Sequence, residues 1–205
     1  MPDTTTQDAN QLFTKDLRPM PYWAMLAEDK ITAWAAGKAE GFSTGFPSLD
    51  GYFRLVDGEM VVIAARPSQG KTILGVQIAE NVARKLQAQG EPGSVAIFSA
   101  EMTGWSLVVR MAGAMSGVNT HNLRMGKGQQ GDAGRLQAAI ADLKRLPIWI
   151  DDGSAPTTKT MLEQLADLNE TNPVRMMLFD FMELGGDRAQ SEELRVGSIA
   201  VGLKD

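Results

Sequence analysis

Two kinds of stretch alternate along most of this chain. Short continuous apolar runs are typical of strands buried on both faces of a sheet, whereas apolar residues every three or four positions are typical of one helix face. The predicted strands are 61–65, 95–98, 148–150 and 176–179, and the predicted helices are 22–37, 71–88, 104–116, 132–144, 158–169 and one starting at Ser191. This alternation predicts an α/β fold, with a mainly parallel sheet covered by helices on both faces.

The first 40 residues have a different pattern. Residues 1–20 are polar, which predicts a flexible lead-in. Residues 22–37 predict a short helix with Trp23 and Trp34 among its apolar positions. These tryptophans are expected to pack either on this chain or on a neighbouring one. We therefore expect residues 1–40 to be a lead-in with an interaction helix, and 41–205 to be the α/β domain.

Composition narrows the class of protein. Hydrophobic residues make up 43% of the chain, charged residues 22%, and there is no cysteine, which excludes a disulfide framework and a thiolate metal site. The absence of a long apolar run or a leader-like start predicts a cytoplasmic protein outside the membrane. The net charge of -5 argues mildly against nucleic acid as a ligand, so any DNA contact is expected from a few local loops.

A phosphate-binding loop is the strongest chemical motif. Residues 65–72 read ARPSQGKT, which matches the P-loop pattern except that Ala65 replaces its first glycine. Gly70 permits the tight turn, Lys71 reaches the β- and γ-phosphates, and the Thr72 hydroxyl ligates Mg²⁺. The expected nucleotide-binding residues of the loop are Arg66, Pro67, Ser68, Gln69, Gly70, Lys71 and Thr72.

Two carboxylates follow predicted strands. Asp180 ends the run 176–179, where a P-loop ATPase holds its Mg²⁺ through water, although an aspartate can also simply stop a strand. Glu101 follows the strand 95–98 and is expected at the mouth of the nucleotide crevice. From the residues alone, Glu101 is either a group that polarises the attacking water or a charge at the start of the helix 104–116.

Three segments resemble the consecutive signatures of DnaB-type replicative DNA helicases. They are 43–50 (STGFPSLD), 64–72 (AARPSQGKT) and 98–102 (FSAEM), and segments 110–112, 148–152 and 178–184 are similar to further parts of the family. The resemblance runs from about Gly41 to the end and keeps the family's order and spacing. This family commonly has an alanine where Ala65 stands, which accounts for the departure from the strict P-loop.

The resemblance implies a RecA-like domain that uses ATP and Mg²⁺. Lys71 and Thr72 would hold phosphate and Mg²⁺, Glu101 would be the catalytic glutamate, and Asp180 the metal-side (Walker B) aspartate. Arg110 would orient Glu101 or its strand, although a solvated helix charge explains this arginine equally well.

The resemblance also implies partners. A hexameric ring would move along single-stranded DNA together with other replication proteins. The loop after the Asp180 strand would contact DNA phosphates through Arg188 and Arg195, with a solvated loop as the alternative.

The sequence departs from the family at both ends. The family's N-terminal domain is not found before residue 41, and its sensor strand, its DNA loops and the strand with its basic finger are not found before Asp205. We therefore expect the C-terminal strands of the fold to be missing, and nucleotide binding to be stronger than turnover. A RecA-like recombinase or regulatory ATPase, and a non-hydrolysing partner of a helicase, are the alternatives.

Asp151 and Asp152 form an adjacent acidic pair after the strand 148–150. A metal site is one interpretation of the pair. A strand end that leads into the turn 153–156 is the simpler one.

Overall fold

The computed structural model describes residues 18–38, 40–180 and 186. These residues fall into two compact units that divide after Gly41. The elements are α1 (Met20–Ala35), α2 (Pro47–Asp50), α3 (Lys71–Gln89), β1 (Ser94–Ser99), α4 (Gly104–Ser116), α5 (Thr120–Arg124), α6 (Asp132–Leu143), β2 (Ile148–Asp151), α7 (Thr158–Thr171) and β3 (Val174–Asp180). Sequence patterning found all of them except α2 and α5, which are too short to show a helical period. The helix predicted from Ser191 lies outside the described residues.

The described sheet has three parallel strands in the order β2-β1-β3. Ala96 of β1 pairs with Trp149 of β2 on one side and with Met177 of β3 on the other. Because the strands are parallel, their carboxyl ends meet at one edge, where Ser99 is paired with Asp180 and Phe98 with Asp151. The predicted α/β class, with helices between parallel strands, is confirmed.

Alternate residues of β1 enter two separate cores, since side chains of a strand point to opposite faces. Val95 and Ile97 lie in one cluster with Val76 and Val82 of α3 and Leu107 of α4. On the other face, β1 supplies Ala96 and Phe98, which cluster with Met161 of α7. Full burial of each large apolar side chain contributes about 1.5–3 kcal/mol. Both faces of the sheet are therefore covered, as predicted.

The prediction of a strand at 61–65 is wrong. The segment makes no strand in the structure, and the side chains of Val61 and Val62 are 44% and 62% exposed. Residues 55–65 and Val174–Asp180 line the same cleft, whose volume is about 650 Å³. A strand needs a partner for its backbone N–H and C=O groups. Among the described residues neither β1 nor β3 pairs with this segment, so its apolar side chains remain exposed.

Helix α1 spans Met20–Ala35, two residues earlier at each end than the prediction. None of its described residues is buried, and Trp23, Ile31 and Trp34 are each about half exposed, at 49%, 57% and 51%. Lys30 forms an ion pair with Glu40 just beyond the helix. Within the described part of the chain, no helix combines the length and apolar character that a membrane crossing requires.

Candidate nucleotide site

The loop before α3 has the backbone shape of an anion site. Gly70 has φ +86° and Ser68 has φ +62°, so both lie in the left-handed region. Glycine adopts this region freely, whereas a serine there costs about 1–2 kcal/mol, a strain that is common at ligand-binding loops. Such alternation of backbone conformation makes a concave row of N–H groups that suits phosphate oxygens. Arg66, Pro67 and Gln69 complete this exposed loop.

Helix α3 starts at Lys71, directly after the left-handed Gly70. Its first-turn N–H groups have no intrahelical acceptor, and its dipole places partial positive charge at this end. Lys71, with its positively charged side chain, is the first residue of this turn. This part of the site is therefore built to accept negative charge.

The hydroxyl of Thr72 donates a hydrogen bond to Oδ1 of Asp180 at 3.1 Å. This contact joins the first turn of α3 to the end of β3, residues 108 positions apart in the chain. Asp180 is only 6% exposed, and its other carboxylate oxygen, Oδ2, is buried without a hydrogen-bond partner. Since a buried charged oxygen without a partner is costly, it marks a place for a cation or an ordered water.

The electrostatics of Asp180 show which groups surround it. Burial raises the pKa of this carboxyl, the Thr72 hydrogen bond lowers it, and the charge of Glu101 raises it further. Lys71 and Arg110 lower the same pKa through their positive charges. The structure therefore gathers the predicted Lys71, Thr72, Glu101, Arg110 and Asp180 around one point.

Backbone contacts place Glu101 next to Asp180. The N–H of Ala100 donates to the carbonyl of Asp180 at 2.9 Å, extending the β1–β3 pairing by one residue. Glu101 follows in an exposed bend, and Arg110 is exposed on α4. Both side chains are therefore at the open edge of the site, while Asp180 lies at its floor. The predicted DNA contacts Arg188 and Arg195 lie outside the described residues.

The group that the motif implies is Mg²⁺ with a nucleoside triphosphate, and the residues fit it. Mg²⁺ usually keeps several waters and is held by one or two carboxylates together with phosphates. Asp180 Oδ2 and the Thr72 hydroxyl supply protein oxygens of that kind, and the α3 start with Lys71 supplies the phosphate side.

A model for the "DnaB-like helicase C terminal domain" family matches residues 41–205. The chain belongs to this family. It is 35% identical over 175 residues to the "Replicative DNA helicase DnaB" of Geobacillus stearothermophilus, an alignment covering 82% of this chain and 37% of that protein. The chain thus spans little more than a third of the length of this DnaB relative.

Two solved structures share the fold. One, described as an ATPase domain, superposes with a TM-score of 0.78 at 22% identity, over 92% of this chain and 66% of that one. The other is described as a DnaB-like replicative helicase with its interactions with primase. It gives a TM-score of 0.73 at 21% identity, over 97% of this chain and 48% of that one. The fold is the RecA-like one expected from the sequence.

The segment 43–50 carried the family resemblance, but its physical task was not foreseen. Asp50 accepts hydrogen bonds from the N–H and the hydroxyl of Thr44, both at 2.7 Å, and from the Ser43 hydroxyl at 2.5 Å. Asn81 of α3 donates to the Thr44 carbonyl at 2.9 Å, and a side chain at Gly45 would collide with Asn81 at 2.0 Å. This family segment therefore fastens the chain before the phosphate loop onto α3.

Proposed function

We propose that this chain is the nucleotide-binding core of an ATP-dependent replicative DNA helicase. The observation that carries the proposal is the buried carboxylate of Asp180. One of its oxygens accepts a hydrogen bond from Thr72, in the first turn of the helix that begins at Lys71, and the other has no hydrogen-bond partner. A buried carboxylate with a free oxygen beside a helix N-terminus suits a metal–triphosphate better than it suits a purely structural role. Membership of the DnaB-like family supports this choice among P-loop proteins.

In this proposal, each side chain has a separate task. Lys71 and the α3 N–H groups bind the phosphates, and Thr72 and Asp180 hold the magnesium ion, which supplies charge neutralisation at the phosphates. Glu101, exposed at the edge, orients and polarises a water molecule for attack on the terminal phosphate. Arg110 is a cation on the same side of the site, and its charge stabilises the ionised form of Asp180.

Replacing Lys71 with alanine tests the nucleotide site. We expect the affinity for Mg²⁺-ATP to fall at least tenfold, about 1.4 kcal/mol, because a charge-assisted contact to phosphate is lost. Titration with a fluorescent ATP analogue measures this. Lys127→Ala is the matched control, since it removes an exposed lysine from the glycine-rich loop 126–131. Equal affinities of Lys71→Ala and wild type would rule out the site.

We propose that α1 is an interaction helix for a second copy of this chain. Its exposed Trp23, Ile31 and Trp34 form apolar surface of the kind that partner proteins cover. Removing residues 1–37 should therefore lower the oligomer mass in light scattering, with little change in the melting temperature of the monomer. A large fall in melting temperature at constant mass would instead show that α1 stabilises its own chain.

Single-stranded DNA is the proposed substrate of the assembled ring, with Arg188 and Arg195 as its phosphate contacts. The logarithm of the DNA affinity should fall with the logarithm of the salt concentration, with a slope of roughly -0.7 per phosphate contact, which is shallow for one or two contacts. Arg188→Ala should weaken DNA binding by the assembled protein and reduce that slope. Fluorescence anisotropy at two salt concentrations measures both effects, with Lys159→Ala on α7 as a control. The same affinity and slope as wild type would exclude Arg188 from the DNA path.

A further inference from the structure

Asp152, which lies directly after β2, caps helix α4. α4 begins at Gly104, and its N-cap residue Thr103 makes no capping hydrogen bond with its side chain. The N–H of Gly104 instead donates to Oδ2 of Asp152 at 2.8 Å. A carboxylate here satisfies one free N–H of the first turn and interacts favourably with the helix dipole. The residue directly after β2 therefore anchors the start of α4.

The start of α4 sets the position of Glu101, which lies three residues before it. The connection between β1 and α4 is also anchored at its β1 end by hydrogen bonds. There the buried Ser99 hydroxyl donates to the carbonyl of Met102 at 2.8 Å and accepts its N–H at 3.3 Å. The Ala100 N–H is held by the Asp180 carbonyl. The hydrogen bond between Asp152 and Gly104 therefore anchors this connection on the C-terminal side of Glu101.

The turn after Asp152 also contacts the chain beyond β3. The N–H of Gly186 donates to the Pro156 carbonyl at 2.9 Å. A Cβ at position 186 would lie 2.2 Å from the carbonyl oxygen of Ala155, which is closer than any side chain tolerates. Ala155 itself has φ +53°, a strained value for alanine. Position 186 therefore accepts only glycine as long as the turn 153–156 keeps this shape.

We infer that Asp152 is a positioning residue for Glu101, and that its hold depends on the contact between the turn 153–156 and Gly186. Asp152 bonds the first turn of α4 and acts on Glu101 through that turn. Any displacement of the chain at Gly186 is transmitted to the turn, from the turn to Asp152, and from Asp152 to the connection that carries Glu101. The inference rests on the proposed function of Glu101.

Amide hydrogen exchange on the chain itself tests the hold. Asp152→Ala should speed exchange over residues 101–106 about tenfold or more and leave β1 unchanged. Asp152→Asn keeps one acceptor oxygen and should recover part of the protection. Asp167→Ala is the matched control, because it removes an exposed carboxylate from α7, which packs on the opposite face of the sheet from α4. Unchanged exchange over 101–106 in Asp152→Ala overturns the inference.

Gly186→Ala tests the second contact in the same experiment. It should speed exchange over 101–106 in the same direction as Asp152→Ala, because the new methyl group must push the turn and the chain at position 186 apart. Gly134→Ala, on α6, is its control, since a Cβ there meets no atom within 4 Å. Wild-type exchange over 101–106 in Gly186→Ala overturns the dependence on Gly186.

Turnover separates positioning from simple stabilisation. In the assembled protein with single-stranded DNA, Asp152→Ala should lower kcat about tenfold with KM within about twofold of wild type, and Asp152→Asn should restore most of the loss. An unchanged kcat overturns the positioning role, even where exchange has increased. Failure of the proposed role of Glu101 would show separately, as a Glu101→Gln variant that retains wild-type turnover.

Discussion

Glu101→Gln should abolish ATP turnover while leaving nucleotide binding within about twofold of wild type. The amide keeps the size and the exposed position of the side chain but cannot accept a proton or polarise water as a carboxylate does. Loss of a general base lowers rates by about 10²–10⁴-fold. The phosphate contacts come from Lys71, Thr72 and the α3 N-terminus, which this substitution does not touch. Steady-state phosphate release and a nucleotide titration measure the two quantities.

Glu170→Gln is the matched control for this experiment. Glu170 is exposed near the end of α7, a helix that packs on the opposite face of the sheet from α4. It should turn over ATP at the wild-type rate. If Glu101→Gln also retains wild-type turnover in a preparation where Lys71→Ala is inactive, Glu101 is only a charge near the start of α4.

Asp180→Asn should lose Mg²⁺-dependent nucleotide binding and, at the same time, melt at a higher temperature than the nucleotide-free wild type. The wild-type carboxylate is buried with one oxygen unpaired. A neutral amide costs less to bury, by about 1 kcal/mol, which corresponds to a rise of about 2–4 °C at this chain length. Thr72 can still donate to the amide oxygen, so the link between α3 and β3 remains. Differential scanning calorimetry without and with Mg²⁺-ATP measures both effects.

The rise in melting temperature of Asp180→Asn should depend on pH in one direction. The folded protein raises the pKa of Asp180 above the ordinary value of 3.8, chiefly through burial. The ionised carboxylate therefore destabilises the folded state at pH values above its folded-state pKa. This penalty vanishes when the carboxyl is protonated in both the folded and the unfolded state. The melting difference between Asp180→Asn and wild type should therefore shrink as the pH falls toward about 4. A difference that is constant with pH would contradict a charge-based cause.

Asp50→Asn is the contrasting variant. Hydrogen bonds from Ser43 and Thr44 lower the pKa of Asp50, so this carboxylate stabilises the folded state above its unfolded pKa, and that contribution is lost as the pH falls through the folded pKa. Asp50→Asn should therefore lower the melting temperature at neutral pH, opposite to Asp180→Asn. Two aspartates in one domain then respond with opposite signs.

The sequence by itself determined the α/β class, nearly every long element and the composition of the phosphate site. These are local properties: the apolar period of α3, the alternation of strands and helices, and the order Gly70-Lys71-Thr72 before a helical stretch. Asp180 and Glu101 were predictable as residues after buried strands, since parallel strands bring their carboxyl ends to one edge. The role of each in catalysis remains a proposal.

Only the tertiary structure decided which groups meet. The apolar run 61–65 has the composition of a buried strand, yet whether it joins a sheet depends on a partner for its backbone, which no local pattern encodes. The bond from Thr72 to Asp180 spans 108 positions, and the bond from Gly104 to Asp152 spans 48. Both depend on the strand order β2-β1-β3, because that order, rather than the order along the chain, places the end of β3 beside α3 and the end of β2 beside α4.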